Sequence, residues 1–243
     1  MTEIIRLNSY ISKCGICSRR QADELIAQGK IKINGERITV LGTKVDPGKD
    51  EVEFEGKLIK PIRQYHYFAL NKPVGVVTTL KDPQKRKTIS HYIARTGMRL
   101  FPVGRLDYDS EGLLLLTNDG ELAHRLQHPR YEIEKGYVVE IHKPLDQNAL
   151  NRIKEGVTLD DGFFMPKSIN TVNNRGKSTT VHIVITEGRN RIIRRLFDSL
   201  GYNVVTLKRV SIDVVELGDL KAGSLRELNS SEVKTLKKRA GLK

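Results

Sequence analysis

The sequence predicts an α+β protein of two domains: a small helical and β domain, then a larger one built on a mixed, mostly antiparallel sheet flanked by helices. Three observations predict this. Residues 7–28 space their apolar side chains as helices do and lead into an Asn34-Gly35 turn between alternating residues. Beyond residue 65, short apolar runs alternate with helical stretches. Within that part, residues 101–121 read FPVGRLDYDSEGLLLLTNDGE, a charged loop between two apolar runs bounded by turn residues. Such runs read as strands buried on both faces.

In order along the chain, Leu7, Tyr10 and Ile11 predict a first helix, ended by Gly15. Ser18 is a good N-cap for a second, over 19–28, whose apolar face is Ala22, Leu25 and Ile26 and which Gly29 terminates. Strands at 31–33 and 37–40 flank the Asn-Gly turn, and the alternating residues 51–55 add a third. This gives a domain over 1–60, near the lower size limit for independent folding, then a polar linker over 61–64 containing Pro61. The larger domain covers 65–243. Strands are expected at 67–70, 74–78, 133–141, 163–172, 179–185 and within 204–215. Helices are expected at 88–95, where Thr88 is the cap, and at 121–126, 147–155 and 230–239. A further amphipathic helix follows Arg189, Arg191, Arg194 and Arg195, with Ile192, Ile193, Leu196 and Phe197 as its apolar face.

A chain of 243 residues with 42 Lys and Arg against 29 Asp and Glu carries a formal net charge of +13. Such an excess suits a polyanionic partner, above all nucleic acid. Residues 1–60 hold 11 basic and 9 acidic side chains, which leaves 31 against 20 for the remainder. The larger domain is therefore the more basic one. No apolar stretch is long enough to span a bilayer, and the N-terminus lacks a signal pattern, so a cytoplasmic protein is expected, without a membrane partner and as a monomer. Cys14 and Cys17 lack the second pair a structural zinc site needs and read as small, semi-buried residues at the helical corner. His124 and His128 are four apart but have no acidic residue between them of the zinc-protease kind. They read as polar helix residues, with His128-Pro129 closing the helix.

The central loop carries the chemistry. A carboxylate such as Asp107 can be a nucleophile, a general base, a metal ligand or a turn residue, while Asp109 and Ser110 suit a turn. The arginines beyond residue 187 can hold phosphate or bind a carboxylate in bidentate fashion.

Two resemblances resolve these alternatives. Residues Arg6-Leu7, Tyr10-Ile11, Gly15, Ser18-Arg19-Arg20, Ala22, Ile26-Ala27-Gln28-Gly29, Ile31 and Asn34-Gly35 resemble an S4 RNA-binding domain. That places Lys13, Arg19, Arg20, Lys30 and Lys32 on RNA, as contacts to phosphates and to folded shape rather than to base sequence. The larger domain resembles the RsuA-like family of ribosomal RNA pseudouridine synthases. The match is carried by residues 69–75 (ALNKPVG), Gly104-Arg105-Leu106-Asp107, residues 112–120 (GLLLLTNDG), Lys135-Gly136-Tyr137 and Glu187-Gly188-Arg189-Asn190-Arg191 through Arg194-Arg195. The resemblance implies the pseudouridine synthase fold and isomerisation of a uridine in ribosomal RNA, or in a ribosomal assembly particle, with no metal and no cofactor. It implies Asp107 as the catalytic residue. Arg105 would hold the flipped uridine or fill the space it leaves, Tyr137 would lie against the base, and Arg194 would pair with Asp107. Arg209 would stand beside the site, with Arg189 and Arg191 on RNA. Ile192 departs from the Gln usual in the family. Residues 119–123 followed by His128-Pro129 resemble the large-subunit branch. The rival readings are a non-catalytic RNA-binding assembly factor and a metal-dependent nuclease using Asp107 and Asp109.

Overall fold

The apolar spacing of residues 7–28 forms helices in the computed structural model, which describes residues 3–242. Residues 1 and 2, at the start of the stretch read for a signal pattern, lie outside the described residues. The chain divides into two compact units, Met1–Tyr65 and His66–Lys243. In the first, β1 (Ile5–Arg6) leads into α1 (Leu7–Lys13) and α2 (Arg19–Ala27). Ser18 and Gln21 form a reciprocal capping box at the start of α2. There follow β2 (Ile31–Ile33), β3 (Glu36–Ile38), β4 (Lys44–Val45), β5 (Val52–Phe54) and β6 (Lys57–Leu58). The order β3-β2-β5-β6 makes one sheet and β1-β4 a second pair. Asn34 and Gly35 have φ of 51° and 85°, the positive pair that a type I′ hairpin needs. Leu7, Tyr10, Ile11, Ala22, Ile26, Ile31, Val45 and Val52 close one core, and the Tyr10 hydroxyl donates to Ile59 O at 3.0 Å. Cys14 and Cys17 form no disulfide among the described residues and pack at the edge of that core, and burial pushes Cys14 up to about 12. Residue 62, in the expected linker, donates its N–H to Lys13 O at 3.0 Å and so belongs to the first unit.

The second unit comprises β7 (Tyr67–Lys72), α3 (Ser90–Ile93), a 3-10 turn, β8 (Phe101–Pro102), β9 (Glu111–Thr117), α4 (Gly120–Gln127), β10 (Lys135–His142) and α5 (Gln147–Glu155). It continues with β11 (Val157–Leu159), β12 (Gly162–Phe164), β13 (Ser168–Arg175), β14 (Ser178–Ile185), α6 (Ile192–Ser199), β15 (Val204–Ile212), β16 (Val215–Glu216), β17 (Leu225–Glu227) and α7 (Ser230–Arg239). Nine strands form one sheet with the path β13-β14-β10-β15-β9-β7-β17, while β16 joins β15 and β8 joins β9. The pairing is antiparallel throughout except between β15 and β9.

Strand β9 explains the four-leucine run. Side chains alternate across a strand. Leu114 and Leu116 therefore join the core under α3, α5 and α6, and Leu113 and Leu115 join the core under α4 and α7. All four are at most 3% exposed, and burying each contributes about 2 kcal/mol.

Some expected elements differ. No strand forms at 74–78: Pro73 lacks an N–H and Gly75 takes φ 78°, so the segment turns and keeps one bridge, Val77 to Thr88. Thr88 does not cap α3; its Oγ1 shares a 2.6 Å hydrogen bond with Ser90 Oγ. The run 163–172 is broken into β12 and β13 around Pro166, and β12 folds back on β11 as a hairpin.

The parallel β9–β15 contact spans two registered pairs, Lys208 with Glu111 and Arg209 with Gly112. Gly112 has φ 106°, and a Cβ there would run into the Arg209 carbonyl and lie 2.8 Å from its nitrogen. Gly112→Ala is expected to lower unfolding free energy by about 2–4 kcal/mol. Urea denaturation checks this, and an unchanged midpoint would contradict it.

Candidate active site

Loop 103–110 joins β8 to β9, and the protein ties it down along its length. Val103 N donates to Leu115 O at 2.8 Å. Leu106 is bracketed by Thr78, whose Oγ1 donates to Leu106 O at 2.6 Å and accepts from Leu106 N at 3.3 Å. Gly75 N reaches Tyr108 O at 2.8 Å, and Ser110 N closes a turn on Asp107 O at 3.1 Å. A loop fixed this way holds its side chains in one geometry.

Helix α6 meets this loop. Arg191 begins the helix in the left-handed region, φ 48°. Its guanidinium makes two 3.2 Å hydrogen bonds to the Asp109 carboxylate and lies 3.6 Å from Asp107 Oδ2. Arg194, 8% exposed, donates to Val204 O at 3.1 Å and Asp109 O at 2.9 Å, and pairs with Asp109 Oδ2 at 3.3 Å. The expected Arg194–Asp107 pair is thus corrected. Arg194 locks the loop through Asp109, and the guanidinium beside Asp107 is that of Arg191. Burial opposes the charge on Asp109, but the Arg191 hydrogen bonds and the Arg194 and Arg191 charges outweigh it and hold the carboxyl below its usual range. A depressed carboxyl stabilises the fold above its unfolded value near pH 4, and that contribution is lost as pH falls through the folded value.

The catalytic candidate faces a cavity of about 370 Å³, a size suited to a small organic ligand. Asp107, with its side chain 30% exposed, is the one carboxylate among the described lining residues. Arg105 lies exposed on the same wall. Tyr137, 8% exposed, stands on β10 directly across from Arg209 on β15, and both line the cavity with Lys135. The loop and β9, the middle of the sheet and the start of α6 thus converge on one hollow. Among the described residues, no group of three His, Cys, Asp or Glu is placed to hold a metal. His128 Nδ1 accepts from Arg130 N at 3.2 Å, a capping role.

Arg189 departs from the expected open phosphate contact. It ion-pairs with Glu187 and Asp161 and donates to the carbonyls of Asp161, Gly162 and Phe163. It fastens the β11–β12 hairpin to the approach of α6. Lys13, Arg19, Arg20, Lys30 and Lys32 are exposed and outside every ion pair among the described residues. The sequence reading assigned no role to Lys72. It is fully buried at the end of β7, with Nζ donating to Pro73 O and Val76 O at 2.9 Å. Burial pushes it down to about 8, against the pull of the Asp107 and Asp109 charges. The signal was present: a lysine closing the largely buried strand 67–72 is costly unless it holds something.

Two family models match: the RNA pseudouridylate synthase model over residues 66–199 and the S4 domain model over residues 5–52. The chain belongs to the RNA pseudouridylate synthase family. It is 46% identical over 240 residues to an uncharacterized RNA pseudouridine synthase of Aquifex aeolicus, covering 98% of this chain and 96% of that one. It is 39% identical to ribosomal large subunit pseudouridine synthase B of Bacillus subtilis, covering 96% and 95%. A crystal structure of a pseudouridylate synthase superposes with a TM-score of 0.69 at 34% identity, covering 96% and 99%. As a member of the family, the chain is an RNA-binding isomerase with an S4 domain ahead of its synthase fold.

For this synthase, Arg194→Met keeps bulk but leaves the Asp109 and Val204 acceptors without it. It is expected to lower stability by about 2 kcal/mol, less than for a fully buried pair because Asp109 is 45% exposed. Arg195→Met breaks the outer pair with Asp161 and an exposed hydrogen bond to Asn190 O and should cost no more than about 1 kcal/mol. Denaturant titration of the two variants measures the difference, and equal losses would contradict the assignment.

Proposed function

We propose that this chain converts a uridine of large-subunit ribosomal RNA to pseudouridine, with Asp107 as the reacting carboxylate. One observation carries the reading: the single carboxylate of the cavity stands on a fully tethered loop, beside Arg191, among lining residues otherwise neutral or cationic. The reaction breaks an N-glycosidic bond, turns the base and joins C5 to the ribose. Nothing is oxidised or hydrolysed, so it calls for charge and positioning rather than a redox group. A base within folded RNA must first be extruded, at about a few kcal/mol. Tyr137 offers a ring in the cavity wall for the extruded base. Arg105, exposed at the loop, suits the strand the base has left.

Arg191 keeps a positive charge 3.6 Å from the Asp107 carboxylate. The S4 cations, outside every ion pair among the described residues, suit phosphates of the same RNA. The name of the Bacillus subtilis relative and the 119–129 segment support the large subunit as the target. The cytoplasm, where such RNA is made, fits the reading.

Asp107→Asn should lower single-turnover conversion by at least about 10³-fold while RNA affinity stays within about threefold of the unaltered protein. Tritium release from C5-labelled uridine in ribosomal RNA, alongside filter binding, measures both. Retained activity in the variant would remove Asp107 from the chemistry.

A further inference from the structure

The cavity that Asp107 lines also holds two cations that form no ion pair among the described residues. Arg209 is 3% exposed and its Nε donates to Leu113 O at 2.7 Å, but its buried Nη2 finds no acceptor among the described residues. Lys135, two residues before Tyr137 on β10, donates to the carbonyls of Ile133 at 3.1 Å and Thr186 at 3.4 Å. Neither side chain forms an ion pair among the described residues. Both line the cavity with Tyr137, which faces Arg209 in register.

Burying charge without an opposite charge is costly. Burial, reinforced by the Arg209 charge and only partly opposed by the Glu187 charge, pushes Lys135 down to about 8. Of the other cations lining the cavity, Arg191 is paired with Asp109 and Arg189 with Glu187 and Asp161, while Arg105 is exposed to solvent. Lys135 and Arg209 are thus arranged for a negative charge that arises only when the site is occupied, the arrangement by which enzymes stabilise developing anions.

We propose that Lys135 and Arg209 form an anion site for the detached uracil. This rests on the isomerase reading above. When the N1–C1′ bond breaks, its electron pair leaves with N1 and spreads onto O2 and O4. The ribose C1′ is left electron-poor on the Asp107 side. The two cations hold the uracil anion while it turns. C5 then supplies an electron pair to C1′, the C5 proton is lost, and N1 gains one, so the product has the atoms of the substrate. Both are catalytic residues in the strict sense, because they touch the reacting base.

The test varies the leaving group. Single-turnover rates are measured on one ribosomal RNA fragment carrying either uridine or 5-fluorouridine at the target, following loss of the original nucleoside. Fluorine stabilises the uracil anion by itself, so the fluorinated base needs the cations less. Lys135→Gln should slow the uridine reaction about 100-fold and the 5-fluorouridine reaction by no more than about tenfold, with RNA affinity within about threefold. Arg209→Lys keeps the charge but removes the second arm of the fork, and should show the same inequality if Lys135→Gln folds poorly. Equal losses on the two substrates, or no loss on uridine, would overturn the anion site. An unaltered protein that makes no pseudouridine would instead overturn the isomerase reading, and this inference with it.

Discussion

The site depends on one carboxylate that does not line the cavity. Asp109 accepts two hydrogen bonds from Arg191 and pairs with Arg194, while its own carbonyl accepts from Arg194. Residues more than 80 apart in sequence are thereby joined at one point. Without that junction, the start of α6 and the loop before β9 are left with the longer Arg191–Asp107 contact of 3.6 Å and none of the hydrogen bonds that fix Arg191 there. The arrangement divides labour between neighbours. Asp109 absorbs the arginines, and Asp107 is left 30% exposed toward the cavity with a cation nearby rather than locked against it.

The sheet supplies the opposite wall. Its two cores pin β9 from both faces, so the loop leaving Gly104 and returning at Glu111 starts and ends on rigid ground. The short parallel contact of β9 with β15 sets Arg209 beside Gly112, close enough that only glycine fits. Antiparallel register then sets Tyr137 opposite Arg209. The cavity is electropositive because the strands deliver Lys135 and Arg209 without delivering acids. That imbalance destabilises the empty protein and favours an occupant that becomes negative.

Much of this was legible in the sequence, for physical reasons that also explain what was not. Period-2 alternation and turn residues revealed β9, β14 and the Asn34-Gly35 hairpin, because burial and positive φ leave direct marks on residue type. The clustering of Arg189, Arg191, Arg194 and Arg195 at a strand-to-helix junction was visible too. Which arginine meets which carboxylate was not. Arg191 and Arg194 differ by three positions on one helix, and a left-handed residue at its start decides which of them reaches Asp107. The fastening of Arg189 to the β11–β12 hairpin was hidden because the apolar pattern over 163–172 runs β12 into β13 and leaves β11 unmarked; Pro166 was the missed signal. Lys72 lies within the 69–75 motif, but a buried lysine betrays itself only when the strand around it is known to be covered on both faces.

The coupling of Asp109 to Arg191 is the most direct measure of this account. A double-mutant cycle in single-turnover pseudouridine formation, using Asp109→Asn, Arg191→Gln and the pair together, reports it. If Asp109 acts by holding Arg191 at Asp107, each single change slows the reaction and the pair is no slower than the worse single variant. Losses that multiply would show that the two side chains act independently, and the junction described above would not be what organises the site.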